Sequence, residues 1–331
     1  MLDTVPPIVL ASIAILFGFV GLIWSADKFV AGSASMASAM GVAPLIVGLT
    51  IVSFGTSAPE VMVSLNASIK GAGDMAIGNA IGSNIANMGL VLGVTTLVAA
   101  IPVQKHLLKH EMPVLLAVTV LSGVFLFDLT LERWEGIALL LSLIPAIGFL
   151  IVIKQKTMSA SEIAEESDMP EESLSMKMAI VWFIIGLVAL IICSDILVWG
   201  AKTTAEHFGI SPLIIGLTVI AIGTSLPELA ASVMSALKGH HDIALGNIIG
   251  SNMFNLLAVM SIPGVVAPLT LDSGVFYRDF IVMFVLTILL LGLIWFSFRK
   301  SGQSQLGKVT GVLFLTVYIG YYVKLFLDTS M

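Results

Sequence analysis

The sequence predicts an all-α integral membrane protein of about ten transmembrane helices, in two inverted-topology five-helix repeats with broken helices at the bilayer midplane. Three observations carry that expectation. Of 331 residues, 58% are hydrophobic and only 11% charged, with a mean hydropathy of +1.07; a soluble domain carries roughly 25% charge. The apolar residues form blocks of about 20 or more, enough to cross ~30 Å of hydrocarbon as helices, whereas barrel strands would alternate over about 10 residues. Finally, the chain is written twice.

In order, the apolar blocks fall at 6–26, 43–69, 75–101, 110–127, 134–153, 178–200, 211–237, 243–268, 276–298 and 306–327. The first has no basic residue before it and outruns the ~7–15 apolar residues of a signal-peptide core, so it is expected to stay as an anchor. Residues 1–153 make the first repeat and 178–331 the second. Between them, 154–177 has the composition of a solvated cytoplasmic acidic linker, without the ligand spacing of an EF-hand loop. Cys193 is the single cysteine, which rules out an intrachain disulfide and a thiolate metal cluster. A net charge of -6 spread among loops offers no basic face to nucleic acid.

With these spans, Lys70, Arg133, Lys202, Arg278 and Lys324 fall on the side of the termini. Lys28, Lys105, Lys109, Lys154, Lys156, Lys177, Lys238, Arg299, Lys300 and Lys308 fall on the other. Basic flanks resist translocation, so the second set is expected in the cytoplasm and both termini outside.

The duplication has a constant offset. SFGTSAPE (53–60) recurs as AIGTSLPE (221–228), GVAPLIVGLT (41–50) as GISPLIIGLT (209–218), and DMAIGNAIGSNIAN (74–87) as DIALGNIIGSNMFN (242–255), each 168 residues on. Five spans per half is an odd number, so equivalent helices cross in opposite directions. Secondary transporters are built this way, with a midplane site where interrupted helices from both repeats meet.

The first motif supplies the interruption. Pro59 has no N–H and crowds the carbonyl of Gly55, so the helix should open there and leave the carbonyls of Ser53 to Thr56 free; Pro227 should act likewise on Gly223 and on Ala221 to Thr224. A simple proline kink is common, but Glu60 and Glu228 argue for more. A carboxylate deep in a span costs at least about 2.5 kcal/mol, and the dipole of the following half-helix returns only ~0.3–1 kcal/mol. A bound cation or a proton is the expected compensation.

The second motif puts Asn79, Ser83 and Asn87 on one helical stripe, and Asn247, Ser251 and Asn255 on its copy. Gly78 with Gly82, and Gly246 with Gly250, would let another backbone approach closely. Asn84 and Asn252, off the stripe, are expected to bond between helices. Ser83, Asn87, Ser251 and Asn255 are expected to complete an oxygen shell around the carboxylates. Two carboxylates with many neutral oxygens, and neither histidine nor thiolate, suit a hard cation; calcium takes about six to eight oxygens in flexible geometry. Two charges balance one calcium, or two sodium ions or protons sharing its ligands.

GTSAPE and GTSLPE, each followed by GNxIGSN, resemble the two alpha repeats of the sodium/calcium exchanger family within the calcium/cation antiporter superfamily, of prokaryotic type. The likeness covers nearly the whole chain and implies calcium export driven by sodium entry, in the plasma (inner) membrane of a prokaryote. It implies Glu60 and Glu228 as central carboxylates, joined at calcium by the carbonyls of Thr56 and Thr224. Ser57, Ser83, Ser225, Ser251 and the carbonyls of Ser53 and Ala221 would shape flanking sodium sites, with Asn87 and Asn255 in the middle. The first and sixth spans resemble the pair that slides to switch access. Asn255 stands where some members carry aspartate, so a third acid is absent and potassium coupling is not implied.

No cofactor is expected beyond the transported ions, and no protein partner. The alternatives are a calcium/proton antiporter using the same carboxylates and a cation channel. A membrane protease is a third: GAGD at 71–74 has the GxGD form of intramembrane aspartyl proteases, but its copy GHHD at 239–242 breaks it. Asp74 and Asp242 are expected to cap helices, His240 and His241 to lie in a loop, and Asp27 and Asp195 to be solvated loop acids.

Overall fold

The computed structural model describes residues 6–157, 174–210, 219, 221–301 and 304–330. Twelve helices are used below as landmarks: α1 Pro7–Met40, α2 Pro44–Thr56, α3 Ala58–Ile69, α4 Gly73–Val98, α5 Leu107–Leu126, α6 Arg133–Lys156, α7 Met176–His207, α8 Ala221–Thr224, α9 Leu226–Leu237, α10 His241–Val266, α11 Val275–Arg299 and α12 Lys308–Leu327. Among the described residues eight are long and apolar enough to cross a membrane, and α2 and α3, bent by 45°, pass the same test only when taken together. The block expected at 211–237 is described only in part, because 211–218 and 220 lie outside the described residues, as does 158–173 of the linker.

Prolines and glycines set the helix ends. Pro7 and Pro44 sit in first turns, where a fixed φ helps and a missing N–H loses nothing. Gly41 ends α1 in the left-handed region at φ 63, letting Val42 N–H reach the Ala37 carbonyl at 3.1 Å. Its copy Gly209 has φ 74, and the pair Gly71 and Gly239, after α3 and α9, has φ 73 and φ 83. The duplicated sequence thus produces duplicated helix ends.

The centre is made by α10, whose apolar window is wholly buried, and α4, at 72%; α1 and α7 are peripheral at 22% and 17%. These outer helices pack against each other antiparallel. Gly18 lies against Leu197, Gly21 against Cys193, Gly186 against Phe29, and Gly200 against Ala11 and Ile15. Gly18 and Gly186 are equivalent positions, so close backbone approach is required at the same place in both copies.

Several expectations are corrected. The fold is mostly helical, as expected, but it also holds two short strand pairs that were not. β1 (Ile101–Val103) pairs antiparallel with β4 (Ser304–Leu306), and β2 (Thr130–Leu131) with β3 (Leu269–Thr270). These segments lie at span ends, where backbone groups outside a helix need partners. Lys154 is not in a solvated linker: Lys154 to Thr157 continue the helix from Arg133, Met176 and Lys177 begin α7, and Lys154 is 2% exposed. Asp27 and Asp195 are not loop acids either, because α1 and α7 run 34 and 32 residues, well past the apolar blocks.

Candidate functional site

The break in the first copy is a single residue. Ser57 adopts φ -83, ψ 7 between two helical segments, and Ser225 adopts φ -91, ψ 5 in the second. The open stretches expected at Ser53–Thr56 and Ala221–Thr224 are helical turns instead. The Ser53 carbonyl accepts the Ser57 N–H at 3.0 Å and stays in the helical ladder. The reason is where the prolines fall: Pro59 and Pro227 occupy the first turn of α3 and α9, where no N–H is needed, so they start a helix rather than unwind one.

That geometry places Glu60 and Glu228 in the first turns of α3 and α9, each 1% exposed. Ser57-x-x-Glu60 and Ser225-x-x-Glu228 have the form of a capping box, but neither serine makes a side-chain cap bond. Ser57 Oγ donates instead to Glu228 Oε1 at 3.1 Å, joining the two halves. Ser83 Oγ in α4 donates to Glu60 Oε1 at 3.4 Å. Thr56 Oγ1 donates to Asn247 Oδ1 in α10 at 3.1 Å, a second bond across the halves.

Asn87 and Asn255, both fully buried, begin π-helical turns at Asn87–Leu92 and Asn255–Val259. Such turns add a residue to the helix and re-aim its side chains, frequently at functional sites. Thr224 is half-buried in α8, and Ala221 begins that helix. Ser53 Oγ is turned back to the Leu49 carbonyl at 2.8 Å.

The polar atoms left over define what could bind. Glu60 Oε2, Glu228 Oε2, both amide atoms of Asn87 and of Asn255, Ser225 Oγ and Ser251 Oγ are buried and have no hydrogen-bond partner among the described residues. Each such atom costs about 1–3 kcal/mol, more when charged. Six of the eight are oxygens, which suits a hard cation. Among the described residues no group of three or more His, Cys, Asp or Glu is placed to hold a metal.

Two residues outside the expected ligand set hold this arrangement. Asn79 Nδ2 donates to the Glu60 carbonyl at 3.1 Å and to Ser64 Oγ at 3.2 Å. Asn247 Nδ2 donates to Ser232 Oγ at 2.9 Å and to the Glu228 carbonyl at 3.4 Å. The signal was present in the sequence: Asn79 with Asn247, and Ser64 with Ser232, obey the same 168-residue offset. Asn84 bonds between the halves as expected, its Nδ2 donating to the Asn252 carbonyl at 3.2 Å. Gly246 and Gly250 lie against the backbone of Leu45, Gly48 and Leu49, whereas the equivalent neighbours of Gly78 and Gly82 fall mostly outside the described residues.

At the far ends of α3 and α9, other expectations fail. Asp74 and Asp242 lie in the first turns of α4 and α10 and make no cap bond. Asp242 is 6% exposed and accepts from Gln104 Nε2 at 3.3 Å; Gln104 Oε1 is 2.9 Å from His106 Nε2, whose Nδ1 is 3.2 Å from Glu111. His240 is buried at the N-cap of α10, and His241 is the first residue of that helix.

A family model described as "Sodium/calcium exchanger protein" matches residues 10–152 and 178–327. CaxA from Alkalimonas amylolytica is 44% identical over 318 residues, covering 96% of this chain and 98% of that protein. The sodium/calcium exchanger MaX1 from Methanosarcina acetivorans is 30% identical, covering 94% and 97%. Among solved structures, the sodium-calcium exchanger NCX_Mj matches with a TM-score of 0.78 at 32% identity, covering 94% of this chain and 96% of that one.

Proposed function

The chain belongs to the sodium/calcium exchanger protein family, a family of membrane transporters and not of enzymes, and from that premise we propose that it is a secondary active antiporter expelling calcium in exchange for entering sodium by alternating access. The observation that carries the reading is the meeting of the two copies. Glu60 and Glu228 are buried, Ser57 of one copy donates to Glu228 of the other, Ser83 donates to Glu60, and each acid keeps one carboxylate oxygen without a partner among the described residues. Two negative charges balance one calcium or two sodium ions, so the same oxygens cannot hold both cargoes at once. Competition for shared ligands is what couples the flows.

In this reading Glu60, Glu228 and the carbonyls of Thr56 and Thr224 hold calcium. Ser57, Ser83, Ser225, Ser251 and the carbonyls of Ser53 and Ala221 serve flanking sodium ions, with Asn87 and Asn255 between. The scaffold is two inverted five-helix repeats, residues 1–153 and 178–331, with ten crossings and both termini extracytoplasmic. The strand pairs support the count. β1 with β4, and β2 with β3, must each share a membrane side. That requires an even number of crossings between the partners, which holds if 211–237 is a span. The antiparallel packing of α1 on α7, equivalent in sequence, supports the inversion.

The test is uptake of labelled calcium by reconstituted vesicles under an outward sodium gradient, with an outward proton gradient of equal size as control. Uptake driven by sodium alone is expected. Uptake driven only by protons would replace this reading with calcium/proton exchange, and non-saturating flux without any counter-ion would replace it with a channel.

A further inference from the structure

Asp27, in α1, forms an ion pair with Lys238 at 2.8 Å, where Lys238 is the residue that ends α9. The pair is partly shielded, with side chains 33% and 21% exposed, and Lys28 adds a second contact to Asp27 at 3.0 Å. Lys238 Nζ also donates to the Asp27 carbonyl at 3.4 Å. The contact therefore ties an outer helix to the far end of the half-helix whose first turn carries Glu228.

The 168-residue offset maps Asp27 onto Asp195 and Lys238 onto Lys70. Asp195 lies in α7, and Lys70 ends α3, the half-helix whose first turn carries Glu60. Both acid and base are thus present twice, at equivalent places, although Lys28 maps onto Ile196 and is not repeated. The second pair is not made: Asp195 and Lys70 are both exposed, and neither takes part in an ion pair among the described residues. One pair is closed and its copy is open.

In an inverted duplication equivalent positions of the two copies lie at opposite membrane faces, and access switches when each copy takes the other's conformation. A contact made in one copy and broken in the other is what such an exchange would invert. We propose that Asp27–Lys238 and Asp195–Lys70 are alternating ionic latches, one fastening each end of the transporter, and that their balance sets the ratio of inward-open to outward-open molecules. This rests on the inverted arrangement proposed above. The pairs lie away from the cation site, so they bias the equilibrium without touching cargo. A partly exposed ion pair shifts such an equilibrium by roughly 1.5- to 5-fold, enough to tune a cycle without locking it.

The experiment reads the open pair directly and needs no ion transport. In a Cys193→Ser background, Asp195→Cys with Lys70→Cys is treated with a short bifunctional thiol reagent in detergent or membranes, and the crosslinking rate is followed. Adding Asp27→Asn or Lys238→Gln should raise that rate about 1.5- to 5-fold, and the charge swap Asp27→Lys with Lys238→Asp should return it towards the starting value. A conservative Lys238→Arg should leave it unchanged, which separates loss of the latch from loss of fold. An unchanged or lower rate in both neutralised variants would overturn the proposal. If calcium transport is absent but the rate still rises, the latch stands and the cargo assignment falls.

Discussion

Ser57 and Ser225 turn the backbone through nearly the same angles, φ -83, ψ 7 and φ -91, ψ 5, yet their hydroxyls go to different places. Ser57 reaches across to Glu228, while Ser225 Oγ has no partner among the described residues. The α4 and α10 serines differ in the same sense: Ser83 donates to Glu60, and Ser251 Oγ, its copy, has no partner among the described residues. Repeated sequence has given repeated backbone but unequal bonding, as the two ion pairs also are unequal. The lesson is that backbone geometry follows local chemistry, proline in a first turn and glycine at an end. The side-chain bonds differ between the copies even where the backbone does not.

The comparison can be broken most decisively at the shared element. On the proposed site, where charge from both halves holds the ion, Glu60→Gln and Glu228→Gln should each abolish calcium transport. A single unit charge at ~4 Å with an effective dielectric near 20 is worth about 4 kcal/mol, so a loss of at least about a hundredfold is expected in initial uptake rates normalised to protein in the membrane. Retention of transport in either variant would mean that one copy suffices.

A second prediction sharpens the inequality. Asn247 bonds to Ser232, the Glu228 carbonyl and Thr56, whereas among the described residues the bonds seen for Asn79 go to Ser64 and the Glu60 carbonyl. Asn247→Ala leaves more buried groups unpaired, at about 1–3 kcal/mol each. Uptake should fall about tenfold or more for Asn247→Ala and less for Asn79→Ala; equal losses would mean that the extra bond to Thr56 carries nothing.

The smallest effect concerns the outer helices. A Cβ at Gly186 would meet Phe29 N at 2.5 Å, and one at Gly18 would meet Leu197 N at 2.9 Å, whereas Gly292 has nothing within 4 Å. Overpacking costs typically about 1–3 kcal/mol. Thermal unfolding in detergent should show Gly186→Ala least stable, Gly18→Ala next, and Gly292→Ala close to the parent.

Much of this was legible in the sequence because repetition and polarity in an apolar chain are both conspicuous. Glu60, Glu228 and the polar stripe of α4 and α10 stand out against hydrocarbon, and the offset links them. What was not legible depended on three-dimensional neighbours. Pro59 read alone signals an opened helix; only its place two residues after Ser57 makes it a helix start. Lys154 read as part of a solvated linker and Asp242 as a helix cap, and the burial of both depends on residues distant in sequence, such as Gln104 against Asp242. Asp27 and Asp195 read as loop acids because hydrophobicity ends before the helices do. Asn79 and Asn247 were visible as a pair, but their role emerged only from the carbonyls they hold.

The central claim is that both copies contribute to one cation site. Calcium binding to the purified protein by titration calorimetry tests it most directly, with sodium as competitor. One calcium per chain is expected for the parent, displaced by sodium, with binding lost in both Glu60→Gln and Glu228→Gln. Two calcium ions per chain, or undiminished affinity in either single variant, would contradict it.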